Sequence, residues 1–143
     1  MHIDPRLNEV DDCLYRVAVR VLIIQDERVL LVREHDGWWS PPGGGVDHDE
    51  TIESTLTREV EEELGVPAGQ VFSDFQIAYY NIGNVVSGVP RMNIFFKATV
   101  PEKLLQKTAE VAEWNWFTEE EFLELSLNAS YNKADLAGVI FSG

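Results

Sequence analysis

The chain has 143 residues, 45% of them hydrophobic and 25% charged, with 25 acids against 11 lysines and arginines. That length suits one domain with a true core, and a formal charge of −14 disfavours a long nucleic acid while still admitting a small polyphosphate held through cations. The lone Cys13 excludes an intrachain disulfide and a cysteine metal cluster; no apolar run approaches the ~18 residues of a membrane span and no signal-peptide pattern opens the chain, so a cytoplasmic protein without membrane contact is expected.

Residues 1–14 are polar, contain Pro5, and read as an N-terminal arm or short edge element ahead of a domain over 15–143. Residues 16–24, RVAVRVLII, are rich in β-branched side chains and predict a strand. Residues 28–33, RVLLVR, predict its return after a tight turn at 25–27, so the two form a hairpin. Trp38 and Trp39 then precede a glycine-rich turn. One of them is expected in the core and the other on a substrate wall, and the sequence leaves open which. Pro41 and Pro42 bar a helix at the turn's entry.

A helix is predicted to begin between 49 and 51, where acids suit its positive end. It ends at Gly65, with Pro67 just beyond. Ile52, Leu56, Val60 and Leu64 recur every four residues and mark its buried stripe. Residues 71–80, VFSDFQIAYY, read as a strand, 81–90 as a loop, and 91–100, RMNIFFKATV, as a strand central in a sheet. A linker over 101–107 leads to a loosely alternating segment at 110–117. Thr118 before three glutamates reads as a helix N-cap, with Phe122, Leu123 and Leu125 docking the short helix. Residues 128–141 add a helical turn or two before a frayed end; the terminal GVIFSG either packs inside or closes a dimer, so monomer and homodimer both stay open. Strands dominate, and no regular β–α alternation supports a doubly wound sheet.

The stretch 43–66, GGGVDHDETIESTLTREVEEELGV, carries the chemistry. Glu59, Glu62 and Glu63 stand at i, i+3 and i+4 and share one helix face. Such like charges destabilise a bare helix by about 0.2–0.5 kcal/mol per pair, and a divalent cation reverses that sign. Magnesium favours oxygen ligands and is commonly held together with substrate phosphates. The glycines let backbone approach whatever sits above the helix start. Together these features describe a site for a metal and a phosphate chain, with Arg58 able to reach Glu62 at i+4.

The spacing sharpens this. Gly44, five residues, Glu50, seven residues, Arg58-Glu59-Val60, one residue, Glu62-Glu63, one residue and Gly65-Val66 make a complete Nudix box, and the chain resembles the Nudix hydrolase family. The box covers 23 residues and the resemblance at the level of the fold spans 16–125. It implies an α+β chain: a Nudix-type α/β/α sandwich with a mixed β-sheet and one catalytic helix. It also implies metal-dependent hydrolysis of a nucleoside diphosphate linked to another moiety, with Mg2+ as cofactor and Mn2+ as substitute. By the same resemblance Glu59, Glu62, Glu63 and the Gly43 carbonyl are metal ligands, with Glu62, Arg58 and Glu113 counted as the catalytic residues. Arg58 holds a ligating glutamate, and Glu50 is either a further ligand or a capping acid. Glu113, just before Trp114, resembles the family's late acid that handles the attacking water; Glu110 is its rival. His35 and His48 read as polar surface or base contacts rather than ligands. One departure stands out: Asp47, His48 and Asp49 occupy positions where the family often has glutamate-x-glycine, so Asp49 replaces a flexible glycine.

Substrate choice is less sharply marked. Trp38, Trp39 and Tyr80, with neighbouring Tyr79, could stack on a base, and Arg33 heads a set of cations, with Arg16, Arg20, Arg28 and Arg91, that could meet terminal phosphates. ADP-ribose hydrolases of the family often carry a proline beyond the box where this chain has Asn81 and Ile82. That favours a nucleoside or deoxynucleoside triphosphate over ADP-ribose or a nucleotide sugar. RNA decapping is disfavoured by the lack of a basic face. A catalytically silent nucleotide-binding module is the alternative of another class; it would show broken box acids, and these are complete.

Overall fold

The computed structural model describes residues 5–83, 88–128 and 131–142. Seven strands form one mixed sheet: β1 (Arg16–Gln25), β2 (Arg28–Arg33), β3 (Trp39–Ser40), β4 (Gly43–Gly45), β5 (Ile77–Gly83), β6 (Arg91–Ala98) and β7 (Glu113–Phe117). Their order is β3-β2-β1-β6-β5, with β4 added to β1 and β7 to β2. β1 and β6 are parallel; the other pairs are antiparallel. Helix α1 (Ile52–Leu64) lies on one side, and α2 (Glu119–Glu124) and α3 (Lys133–Phe141) on the other.

The alternation of β1 explains the layering. Val19, Val21 and Ile23 pack with Leu56, Val60 and Leu64 of α1, while Leu22 packs with Phe95, Phe122, Leu136 and Ile140. A strand buried on both faces reads as a nearly continuous apolar run, as RVAVRVLII does. Each such side chain contributes about 1.5–3 kcal/mol when fully buried. This is the α/β/α sandwich expected from the sequence. The β1–β2 hairpin closes through Asp26 and Glu27, both left-handed at φ 52° and 60°. That pair of angles belongs to the two-residue turn whose twist matches the strands.

Helix α1 is bounded as the sequence predicts. Thr51 caps it in a reciprocal box with Ser54, and Gly65 ends it in the left-handed conformation at φ 73°. Three glutamates follow the Thr118 cap, and Glu121 closes the second box.

Several expectations need correction. The strand predicted over 71–80 begins only at Ile77. Ahead of it, Ser73 Oγ accepts from the Phe75 amide and Asp74 Oδ1 from the Gln76 amide, and Phe75 turns left-handed at φ 53°. These local side-chain bonds compete with a strand ladder. Phe72 keeps a single bridge to Thr99. β5 in turn runs on to Gly83, into the predicted loop, of which 84–87 lie outside the described residues. Ile52 is exposed, because it stands one turn before the stripe meets the sheet, and Leu123 is exposed while Phe122 is fully buried. The C-terminal segment is a nine-residue helix, not a frayed turn. Leu136, Ala137 and Ile140 are buried in it and Phe141 packs on Phe122, which settles the terminal apolar run as core. Pro5–Glu9 forms a 3-10 helix in the expected arm, whose residues 1–4 lie outside the described ones. Among the described residues no helix is long and apolar enough to cross a membrane.

Candidate active site

β4 is three glycines paired to β1, with Gly43, Gly44 and Gly45 opposite Arg20, Val19 and Ala18. A side chain is barred by backbone at Gly43, and at Gly44 it would displace an acid of α1. A Cβ on Gly43, whose φ is 149°, would lie 2.0 Å from the Val19 carbonyl oxygen, and one on Gly44 would lie 2.4 Å from Oε1 of Glu59. The turn therefore presses its backbone against the acidic face of α1.

Glu59 and Glu63 meet the turn, Glu62 faces Arg58, and the three differ in surroundings. Glu63 is buried, and its Oε2 accepts from the Gly43 amide at 3.1 Å. Burial pushes its carboxyl up to about 8, against the pull of Arg20 and of the Gly43 N–H. Glu59 is also raised, first by burial, with Arg58 opposing and Glu62 adding to the shift. Glu62 is the most exposed of the three, its side chain 43% accessible and 3.3 Å from Arg58.

Arg58 organises the group. Its Nε and NH2 donate to the two oxygens of Glu50 at 2.8 and 2.9 Å, and its NH1 donates to Glu59 at 3.0 Å. Asp47 lies 3.7 Å away. Glu50 is thereby held down to about 2, chiefly by Arg58 and then by the Asp47 amide, with the Thr55 hydroxyl assisting. Both Glu50 oxygens are thus engaged in fixing the loop onto α1. Asp49 adopts φ 68°, the left-handed backbone that a glycine would take at this position. Aspartate tolerates that region better than most residues, so the substitution keeps the loop's path.

Arg20 is the residue the sequence reading undervalued. It is buried, and its NH1 donates to the carbonyls of Gly43 at 3.0 Å and Pro41 at 3.4 Å. Glu34 stands 3.7 Å away and the Tyr131 ring 5.8 Å. Burial opposes its charge, but Tyr131, Glu63, Glu34 and Glu59 together outweigh it and raise its affinity for the proton. The signal was available: a cation in the middle of a strand whose neighbours are all apolar.

The remaining candidates lie on other elements. Trp39, Arg33 and Glu113 form a cross-strand row over β3, β2 and β7, and Arg33 Nε donates to Glu113 Oε1 at 3.0 Å. Trp39 sits edge-on to Phe117 at 4.8 Å in the α2–α3 core, so of the tryptophan pair it is the packing member, and Trp38 is exposed. Tyr80 is exposed on β5, and neighbouring Tyr79 bonds Asp135. Glu110 is exposed ahead of β7. His48 is exposed, and His35 bonds the Ala109 carbonyl.

The described residues contain no ready-made group of three His, Cys, Asp or Glu for a metal ion. Glu63 is turned to the Gly43 amide, and Glu59 and Glu62 to Arg58. Their chemistry nevertheless fits a hard cation: they offer oxygen donors, and Glu59 and Glu63 are desolvated carboxyls whose ionised form lacks sufficient positive charge nearby.

The family model for the NUDIX domain matches residues 14–136, and the chain belongs to the Nudix hydrolase family. It is 38% identical over 53 residues to the uncharacterized Nudix hydrolase YvcI of Bacillus subtilis, a match covering 37% of this chain and 34% of that relative. It is 26% identical over 131 residues to the nucleoside triphosphatase NudI of Escherichia coli, covering 82% of this chain and 92% of the relative. The structure superposes on an ADP-ribose pyrophosphatase from Streptococcus suis with a TM-score of 0.71 at 22% identity, over 90% of this chain and 91% of the other, which is a likeness of fold.

Proposed function

We propose that this chain is a metal-dependent pyrophosphohydrolase acting on nucleoside or deoxynucleoside triphosphates. The observation that carries the reading is the placement of Glu59 and Glu63 directly against the glycine turn, with Glu62 next to Glu63 in α1 and tied to the same Arg58 as Glu59. The triphosphate preference is supported by the near full-length similarity to a protein named a nucleoside triphosphatase.

Glu59, Glu62, Glu63 and the Gly43 carbonyl would hold Mg2+ or Mn2+. A cation bound there would neutralise charge on phosphate oxygens and lower the pKa of a bound water. The protein's own part is positional. Arg58 fixes Glu59 and the loop through Glu50, and Arg20 holds the Gly43 carbonyl through one of its two lone pairs. Glu113, oriented by Arg33, is proposed to orient or deprotonate the attacking water. Exposed Trp38 and Tyr80 are proposed as stacking surfaces for the base. The proposed partner is a small nucleotide and no long nucleic acid, in the cytoplasm, with the chain a monomer or homodimer.

The test is chromatographic detection of the nucleotide products formed from a nucleotide panel with Mg2+ or Mn2+, with pyrophosphate or phosphate followed as the co-product of the triphosphates. The panel holds triphosphates, ADP-ribose, nucleotide sugars and dinucleoside polyphosphates. Triphosphate turnover is expected to lead. No turnover by folded protein would make the chain a silent nucleotide-binding module instead.

A further inference from the structure

We propose that Arg16 and Arg91 form an anion subsite across the glycine turn from the box acids, which takes a phosphate beyond the two of the scissile anhydride; it rests on the pyrophosphohydrolase reading above.

β1 and β6 run parallel with Arg16 directly opposite Arg91 and Ala18 opposite Asn93. Like charges placed opposite one another on a sheet repel. Both residues share the sheet face of Leu22 and Phe95, the α2–α3 side, whereas Glu59 and Glu63 belong to α1 on the other side. The chain has 25 acids to choose from. Arg20, Arg28, Arg33 and Arg58 all take one, yet among the described residues no acid stands within salt-bridge reach of Arg16 or Arg91. Glu34 is 3.7 Å from Arg20 and attracts Arg91 only at longer range. Two unmatched arginines side by side in so acidic a chain call for an anion from outside.

Two further observations point to the same place. Asn93, next but one to Arg91 on the same face, is fully buried with neither amide nitrogen nor oxygen bonded, and Nε of buried Arg20 is also unmet. Buried polar groups are as a rule hydrogen-bonded. The Arg16 guanidinium is placed at the turn: a Cβ on Gly45 would lie 2.4 Å from its NH2, just as one on Gly44 would strike Glu59. Burial first, then Arg20 and Arg16, hold the Arg91 guanidinium below its ordinary value, against the opposing pull of Tyr131 and Glu34. A substrate lying over the turn therefore meets the acids on one side and the Arg16 guanidinium on the other, with Arg91 opposite Arg16 on the neighbouring strand, and the fork geometry of a guanidinium matches phosphate. A triphosphate supplies the third phosphate; a nucleoside diphosphate sugar does not.

The test uses substrate pairs that share a base: ATP with ADP-ribose, GTP with GDP-mannose, UTP with UDP-glucose. In Arg16→Gln/Arg91→Gln, kcat/KM for the triphosphate should fall about tenfold or more relative to its partner. Separately, inorganic tripolyphosphate in chelator should raise the Tm of the unaltered chain and not of the double variant. Equal losses on both members of each pair, or tripolyphosphate binding that survives the substitutions, would overturn the proposal. Should the double variant not fold, exposed Arg16→Gln alone gives the same readouts. If the unaltered enzyme hydrolyses nothing, the pyrophosphohydrolase reading fails, and the tripolyphosphate titration still decides the subsite.

Discussion

Arg58 and Glu50 form a two-bond fork, with donor–acceptor distances of 2.8 and 2.9 Å, that ties the loop after the glycine turn to the middle of α1. The same guanidinium reaches Glu59. Lysine cannot reproduce a fork, so Arg58→Lys should loosen the loop and Glu59 together, weakening Mg2+ activation about 10- to 100-fold. The pair also sets an acid limb. Glu50 is held down to about 2 in the fold, below its ordinary 4.5, so the folded state releases this proton more readily than the unfolded chain. Its stabilisation is complete above 4.5 and is lost as pH falls towards 2. The Tm of Glu50→Gln against pH should therefore be flatter in that window; an identical acid limb would show that the fork does not contribute.

Gly44→Ala tests the contact between turn and helix. Its added methyl would sit 2.4 Å from Glu59 Oε1, so the carboxylate must move. The fold should survive, because only an acid on the helix face has to shift. Activity should fall most at low Mg2+ and recover partly at high Mg2+. Gly69→Ala, where a Cβ meets nothing within 4 Å, is the control and should be within about 0.5 kcal/mol of the parent. A Gly44→Ala enzyme with unchanged Mg2+ dependence would remove Glu59 from the proposed metal site.

Glu63 makes the metal-free protein pH-sensitive in the opposite direction. Its carboxyl is pushed up to about 8 from 4.5, so between these values the unfolded chain ionises while the folded one keeps its proton. Folding stability then declines as pH rises through this window, at up to about 1.4 kcal/mol per pH unit. Denaturant melts in chelator should show the decline, and Glu63→Gln should flatten it. A parent and variant with the same slope would mean that Glu63 is already ionised and compensated.

The boundaries of α1 and the hairpin could be read from the sequence because local chemistry sets them: Thr51, Gly65 and Thr118 are caps wherever the chain goes. The box acids were legible for the same reason, since i, i+3, i+4 spacing needs only the helix. What escaped depends on partners distant in sequence. Arg20 looked like a phosphate candidate, but its partners Gly43 and Tyr131 are brought together by β4 pairing and α3 docking. Trp38 and Trp39 could not be told apart until Phe117 was placed. The 71–80 segment misled because its apolar residues resemble a strand while Ser73 and Asp74 bond their own backbone.

The two late acids remain to be separated by experiment. Glu113 lies on β7 with its carboxylate held at 3.0 Å by Arg33, while Glu110 is exposed ahead of the strand. If Glu113 handles the attacking water, Glu113→Gln should lower kcat while leaving KM and Mg2+ activation close to the parent, and hydroxide should restore part of the rate at high pH. If Glu113 only tethers Arg33, the same substitution frees a cation, and KM should move while the pH profile keeps its shape. Arg33→Gln separates these cases further: it leaves the acid present but no longer oriented, so a water-handling Glu113 predicts a kcat loss there too. Glu110→Gln should stay near the parent, as a solvated charge would. Rate against pH at saturating substrate and Mg2+, measured for all three variants, decides among them; a crippled Glu110→Gln beside a normal Glu113→Gln would reverse the assignment.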